Sequence, residues 1–381
     1  MIRILFIIRR LGQGGAERQL VELIKHLDKT RFEITLLCQY SGGVLWDEAT
    51  SIPLVRVEHI GKTGRWDPTF LAKITAYMRR LRPHIVHGYM DVANLLALAA
   101  KPLGARVVWG IRASKLDLSR YDFLHRVAFH LETWLSSLPD LIICNSFAAR
   151  ADVVARRFPA DRTIVVSNGI DTQRFQHDAI ARDKIRAEWR VGPHQFLIGL
   201  LARLDPMKGH SVFFAAAQLV VARHGDARFV LIGDGPDSYR NALEAEAVRY
   251  GLSDKLTWAG PRTDVSAVLS ALDLSVSASS FGEGFSNSLA EAMACGIPCV
   301  ATDVGDSANV LGDLGWLARP DDPADLAKQI CAAFEASRRG NVSPTLLRTR
   351  IQTEFGTQRL VEATSAALLG LIGARTQAEI V

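Results

Sequence analysis

Short apolar runs of strand length alternate with stretches of helical periodicity along this chain, and the alternation runs through twice. The first pass offers strands at 2–8, 32–38, 54–57, 85–87, 106–111, 141–144 and 163–166, with helical patterns such as 17–27, 68–81 and 92–100 between them. Strands separated by helices pair in parallel. A parallel sheet is covered on both faces, so its strands read as unbroken Val/Ile/Leu runs. The second pass offers strands at 196–201, 228–232, 256–258, 274–279 and 298–302 and helices at 210–223, 238–250, 264–272 and 286–294. The expected fold class is therefore α/β, with two Rossmann-like domains at 1–178 and 179–356 and a polar junction around 171–193. A helical tail over 357–381 is apolar on one side over 357–372 and is a candidate to cross back onto the first domain.

A chain of 381 residues with 48% hydrophobic and 22% charged residues can fill two such cores. Its five cysteines (Cys38, Cys144, Cys295, Cys299, Cys331) form no disulfide framework and point to a reducing, cytoplasmic setting. Cys295 and Cys299 flank Gly-Ile-Pro without a second Cys/His pair, so they read as packing residues rather than metal ligands. The opening run MIRILFIIRR is short and broken by Arg3, Arg9 and Arg10; it reads as a first strand rather than a signal peptide, and no segment has the length of a membrane span. Charge is uneven. Residues 1–180 hold 25 Lys/Arg against 17 Asp/Glu, a net of +8, and residues 181–381 a net of −3. A basic first half suits an anionic partner such as an acidic glycan, a lipid phosphate or an anionic membrane, or is simply a solvated face. No motif interleaves basic and aromatic residues as nucleic-acid binding requires.

Three stretches carry chemistry. GQGGAE at 12–17 follows the first strand and opens a helix; the backbone N–H groups of Gly14 and Gly15 could approach a phosphate, or the glycines could simply make a tight turn. GLLARLDPMKGH at 199–210 puts Arg203 at a strand end and Lys208 just before a helix. Two cations across such a loop can clamp a diphosphate and meet the charge that grows on it as a bond breaks. EGFSNSLAEAMACGIP at 283–298 is the richest. A glycine-flanked loop bears Glu283, and the backbone of Gly284, Phe285 and Ser286 leads into a helix whose N-terminus suits phosphate oxygens. Asn287 and Glu291 share one face of that helix. A carboxylate in the loop and another one turn inside the helix can each accept from a vicinal diol, as in a sugar or a ribose.

In these stretches the chain resembles the retaining glycosyltransferases of family 4. Glu283 and Glu291 match the E-x7-E motif. The resemblance extends through GGAE, NSFAA at 145–149, SNGID at 167–171, IGDGP at 232–236 and ATDVGD at 301–306, covering nearly the whole chain in order. It implies a GT-B fold, two Rossmann-like domains facing across a cleft, with the acceptor bound mainly by the first domain and a nucleotide sugar mainly by the second. It implies that Glu283 holds donor sugar hydroxyls and Glu291 the ribose, and that Arg203 and Lys208 neutralise the diphosphate. It further implies that 256–262 lies against the base, and that no metal or other cofactor is needed. The expected acceptor is a growing glycan or a lipid-linked glycan, in surface polysaccharide or lipopolysaccharide synthesis at the inner face of a membrane.

One position departs from the family. Many members carry a histidine just after the strand that here reads VVWGIR, where this chain has Arg112. An arginine is a fixed cation and a poor base, so Arg112 is expected to contact an anionic group rather than to pass a proton. His87 and Asp91, after the preceding strand, are further candidates, with a packed histidine the plainer reading of His87. An amphipathic pattern over 122–138 reads chiefly as a core-facing helix and secondarily as a membrane contact. A sugar-nucleotide epimerase of the same architecture and a non-catalytic sugar-nucleotide-binding subunit are the alternative functions.

Overall fold

The computed structural model describes all residues except Gln13, Thr63, Arg65, Trp66, Pro68, Leu116, Tyr121 and 379–381. It divides into two units, Met1–Gly169 with Thr357–Val381, and Ile170–Gly356. In the first, β1 (Ile2–Ile8), β2 (Phe32–Cys38), β3 (Val55–His59), β4 (Ile85–Tyr89), β5 (Arg106–Ile111), β6 (Leu141–Cys144) and β7 (Thr163–Val165) form one sheet in the order β3-β2-β1-β4-β5-β6-β7. In the second, β8 (Phe196–Leu201), β9 (Ala227–Ile232), β10 (Leu256–Gly260), β11 (Leu274–Ser277), β12 (Cys299–Thr302) and β13 (Trp316–Ala318) follow the order β10-β9-β8-β11-β12-β13. Every pairing is parallel, as the unbroken apolar runs require. Each sheet separates two apolar clusters. Phe6 and Val108 face one side of the first sheet and Leu5, Val107 and Trp109 the other; Val230 and Phe229 divide likewise in the second.

The boundary between the units falls before Ile170, ahead of the expected position at 178, and for a local reason. Gln19 holds the backbone of Gly169 from both sides: Nε2 donates to the Gly169 carbonyl and Oε1 accepts from its N–H, each at 2.8 Å. The next residue turns to the other unit. The N–H of Ile170 donates to the Phe355 carbonyl at 2.7 Å, and Ile170 and Phe175 are buried in the second unit's core. The tail helix Thr357–Ala378 belongs to the first unit, where Leu360 and Leu368 join the core and Thr357 Oγ1 donates to Glu22 at 3.2 Å.

The helix Phe123–Trp134 meets the core-facing expectation only in part: Ala128 is buried and Leu124 and Val127 are half-buried. Asp122 caps it by accepting from the N–H of His125, and the two residues it buries are Ala128 and Glu132. Phe123 and Trp134 are 70% and 79% exposed, and Leu131 and Leu138 are exposed as well. Glu132 is turned inward because it finds partners there. Asn94 Nδ2 donates to Glu132 Oε1 at 2.7 Å, and Arg156 lies 3.7 Å from the other oxygen. Asn94 also clamps Gly110 of β5, accepting from its N–H at 3.0 Å and donating to its carbonyl at 3.3 Å.

Burial pushes Glu132 up to about 7 from its ordinary 4.5, with Asp91 adding to the rise and Asn94 and Arg156 opposing it. Between those values the folded chain keeps a proton that the unfolded chain releases, so this group's contribution to stability falls as pH rises through about 7. Glu132→Gln keeps an acceptor for Asn94 without titrating. Its thermal midpoint relative to wild type should therefore improve between about pH 5 and about pH 8. A constant difference across that window would show that Glu132 does not titrate there.

Candidate active site

Chain order in the second sheet runs outward from β8 on one side and from β11 on the other. Crossovers leave these two neighbours in opposite directions, which opens a crevice at their carboxyl ends, the usual ligand position of an open parallel sheet. The loop after β8 carries Lys208 and the loop after β11 carries Glu283. Lys208 closes a short turn, Pro206–Lys208, whose start is capped by Asp205 Oδ1 accepting from the Met207 N–H at 3.1 Å. The following Gly209 has φ +66°, and a Cβ there would lie 1.9 Å from the Ala278 carbonyl oxygen, so only glycine lets the turn rest on the end of β11. The Ser280 N–H donates to the Met207 carbonyl at 2.8 Å and joins the two loops.

The joined loops bring Lys208 Nζ into an ion pair with Glu283 Oε2, to which Ser279 Oγ also donates at 3.1 Å. Both side chains are mostly buried. Such a pair, held between fixed loops, is well placed to exchange partners with a charged and hydroxyl-rich ligand. Arg203 is placed differently. Its side chain is 66% exposed, and Nη2 pairs with Asp205 Oδ2 at 3.0 Å. The contacts of the structure thus join Lys208 to Glu283 and leave Arg203 at the rim with Asp205.

The loop of Glu283 is pinned from β12. Thr302 Oγ1 donates to the Ser279 carbonyl at 2.6 Å, and the Asp306 N–H donates to the Gly284 carbonyl at 2.8 Å. Gly305 has φ +64°, and a Cβ on it would fall 2.5 Å from the Gly284 oxygen and 2.6 Å from that of Glu283. These are the roles of ATDVGD, which the sequence marks as a motif without assigning a task. His210 was likewise passed over; it is a buried ring set edge-on to Tyr239, and burial pushes its pKa down to about 4, so it packs as a neutral group.

The helix Asn287–Ala294 starts where the sequence places it. Ser286, at its N-cap, makes no side-chain capping bond, so the first-turn N–H groups have no acceptor inside the helix. The Phe285 side chain is buried against Phe355 at 5.3 Å between ring centroids and anchors the turn, leaving the backbone as its polar offering. Glu291 lies one turn inside, 7% exposed among Leu289, Ala290, Ala292 and Met293. Among the described residues no group of three or more His, Cys, Asp or Glu side chains is placed to hold a metal ion.

In the first unit, the helix Gly15–His26 begins beside Gly14 as expected, but the turn is already covered. A Cβ on Gly14 would fall 2.3 Å from Glu17 Oε2. The carboxylate of Glu17 thus sits where a phosphate was expected, and an incoming anion has to move it. Arg112 follows β5, with its guanidinium carbon 4.3 Å from the Tyr89 ring centroid. His87, on β4, is fully buried against Tyr89 (4.8 Å) and Phe6 (5.4 Å). Burial first, and then the charge of Arg112, hold it well below its ordinary pKa, so it packs as a neutral ring.

Residues 13–174 match the family model described as Glycosyltransferase Family 4, and residues 195–336 that described as Glycosyl transferases group 1. The chain is similar to 2-deoxystreptamine N-acetyl-D-glucosaminyltransferase of Streptomyces fradiae, 30% identical over 283 residues that span 69% of this chain and 66% of that one. It is also similar to D-inositol 3-phosphate glycosyltransferase 2 of Catenulispora acidiphila, 26% identical over 360 residues, 86% of this chain and 83% of that one. In fold it matches HepE of Anabaena, solved in complex with UDP and glucose, with a TM-score of 0.83, 21% identity, and 97% and 99% of the two chains covered.

The pinning of the Glu283 loop can be separated from ordinary backbone strain. Gly305 and Gly340 both have positive φ (+64° and +70°), but nothing lies within 4 Å of a Cβ on Gly340. Gly340→Ala should cost about 1–2 kcal/mol from left-handed backbone alone. Gly305→Ala should cost about 1–3 kcal/mol more, because the Glu283 loop has to shift. Urea unfolding measures both; equal losses would show that the loop yields freely.

Proposed function

The chain belongs to the glycosyltransferases of family 4, group 1, and from that premise we propose that it moves a hexosyl group from a nucleoside diphosphate sugar to a hydroxyl of a glycan or lipid-linked acceptor, with retention of configuration. The observation that carries this is the Lys208–Glu283 pair at the crevice between β8 and β11. Before donor binds, each charge satisfies the other. A diphosphate arriving at the N-terminus of Asn287–Ala294 draws Lys208 toward its oxygens and releases Glu283 to accept from the sugar hydroxyls. Glu291 is assigned the ribose, and Arg203 a supporting place at the rim. UDP is the favoured nucleotide, because the structural relative HepE was solved with it.

As the sugar–oxygen bond breaks, negative charge builds on the diphosphate, and Lys208 and the helix N–H groups meet it without reorganisation and without a metal. The sequence offers no evident nucleophile, which favours attack from the leaving-group side, with the departing phosphate taking the acceptor's proton. Lys208→Ala should lower kcat by about a hundredfold or more, as for loss of other groups that stabilise developing charge. Glu291→Ala should weaken UDP binding measured by calorimetry. A near-wild-type rate for the first variant, or unchanged affinity for the second, would remove the corresponding assignment. Conversion of donor to an isomer without acceptor would instead indicate an epimerase.

We also propose that the first unit rests on an anionic membrane through the helix Phe123–Trp134. Among the described residues no helix is long and apolar enough to cross a membrane. This helix nevertheless shows Phe123, Arg126, His130, Leu131 and Trp134 to solvent at helical spacing, in a half of the chain with net charge +8. An apolar stripe with basic residues suits the headgroup boundary. Sedimentation with vesicles of phosphatidylglycerol and phosphatidylcholine should capture the wild-type chain, and Phe123→Ser with Trp134→Ser should release it. No capture by anionic vesicles would sink the proposal.

A further inference from the structure

We infer that Arg112 is the seat of an anion-binding site in the first unit, which takes a carboxylate or phosphate carried by the acceptor. The inference presupposes the transferase activity and adds a substrate class to it: the acceptor is acidic near the hydroxyl that is glycosylated.

Several partly buried arginines have a carboxylate partner, and others, such as Arg150 and Arg348, are held by backbone carbonyls. Arg106 meets Asp140, Arg156 meets Glu132, and Arg182 and Arg186 both meet Asp273. Among the described residues Arg112 has no carboxylate partner, and its Nε, like that of Arg106, is buried without a hydrogen-bond acceptor. A buried N–H without an acceptor is costly, and a bound anion would supply one.

The surroundings are built rather than accidental. His87 Nε2 and Arg112 Nε both lie close to Gly110: a Cβ on it would fall 2.9 Å from the Gly88 carbonyl oxygen, 3.3 Å from His87 Nε2 and 3.5 Å from Arg112 Nε, so only glycine lets the two nitrogens approach one stretch of backbone. The His87 side chain is fully buried, and neither ring nitrogen has a hydrogen-bond partner. Being neutral, it can donate one N–H to an anion without adding charge. Tyr89 supports the guanidinium face, and Asn94 fixes Gly110 by two hydrogen bonds. At the same carboxyl edge, Arg9 and Arg10 follow β1 and Lys62 follows β3, against Asp91 after β4. A cation with a planar fork, beside an uncommitted imidazole at a positive edge, fits a carboxylate or phosphate better than a neutral sugar hydroxyl.

Titration of the full chain with glucose, sodium glucuronate and glucose 6-phosphate, with and without saturating UDP, tests this. One or both acidic sugars should bind about tenfold or more tightly than glucose, and the tighter of the two identifies carboxylate or phosphate. Arg112→Gln should abolish the preference and leave UDP affinity unchanged. Arg112→Lys, which keeps the charge and loses the fork, should keep part of it. Equal binding of the three sugars, or a preference that survives Arg112→Gln, would overturn the site. A preference seen only between UDP-glucuronate and UDP-glucose, and absent among the free sugars, would place the anion on the donor and overturn the acceptor assignment. Failure of UDP to bind would count against the transferase activity, while the free-sugar titrations would still decide the site.

Discussion

Parallel pairing of strands buried on both faces is the constraint from which the site follows. Each strand of such a sheet enters and leaves in the same sense, so every loop after a strand reaches one edge. In the second unit that edge gathers the loops after β8, β9, β11 and β12, although 100 residues of chain separate the first from the last. Glycine then sets how closely the loops pack. Gly209 lies on Ala278, Gly233 on Ala202, and Gly305 on Glu283 and Gly284, each with positive φ and with a carbonyl oxygen where a Cβ would stand. Backbone packed against backbone fixes the origins of Lys208 and Glu283, and their pairing follows from position.

Charge is handled in opposite ways by the two units. In the second, Lys208 and Glu283 neutralise each other, Arg203 has Asp205, and Arg182 and Arg186 share Asp273. Partners of this kind can be exchanged when a ligand brings both charge and hydroxyls. In the first, Glu17 covers its own helix start, Glu132 holds Asn94 and Arg156 behind the sheet, and Arg112 remains without a carboxylate among the described residues. One unit is thus prepared for exchange and the other for addition, as expected if their ligands differ in kind.

Much of the fold was legible because it rests on local signals. Runs such as IRILFII and FEITLLC can only be buried strands in this context, and β1, β2, β5, β6 and β8 lie where the sequence places them. The three-residue β13 escaped because a run that short has no period. The placement of Lys208 and Glu283 on loops at strand ends was also legible, since it needs only strand–loop–helix order. What escaped depends on residues distant in the chain. Glu132 points inward because Asn94, 38 residues earlier, donates to it. The same rotation turns Leu131 and Trp134 outward while Ala128 stays buried. The divergence of Arg203 from Lys208 was equally hidden, because the sequence does not show that Asp205 turns back to pair with Arg203.

Arg112, where the resemblance to the family leads one to expect a histidine, bears on what the first unit can contribute to the proposed reaction. A histidine at that place could hold a hydroxyl or take a proton; a guanidinium can only attract. The nearby imidazole of His87 does not replace it, because a fully buried ring cannot collect a proton and return it to water. On the proposed transferase activity, the carboxyl edge of the first sheet therefore positions its substrate by charge, and Asp91 is the carboxylate that follows β4 there. The proton of the acceptor hydroxyl is then best taken by the group that becomes more basic as the bond breaks, the departing diphosphate. On the same proposal, a Lys208 that stabilised the charge on that diphosphate would also limit its basicity, so the strength of that contact would govern both departure of the leaving group and removal of the proton.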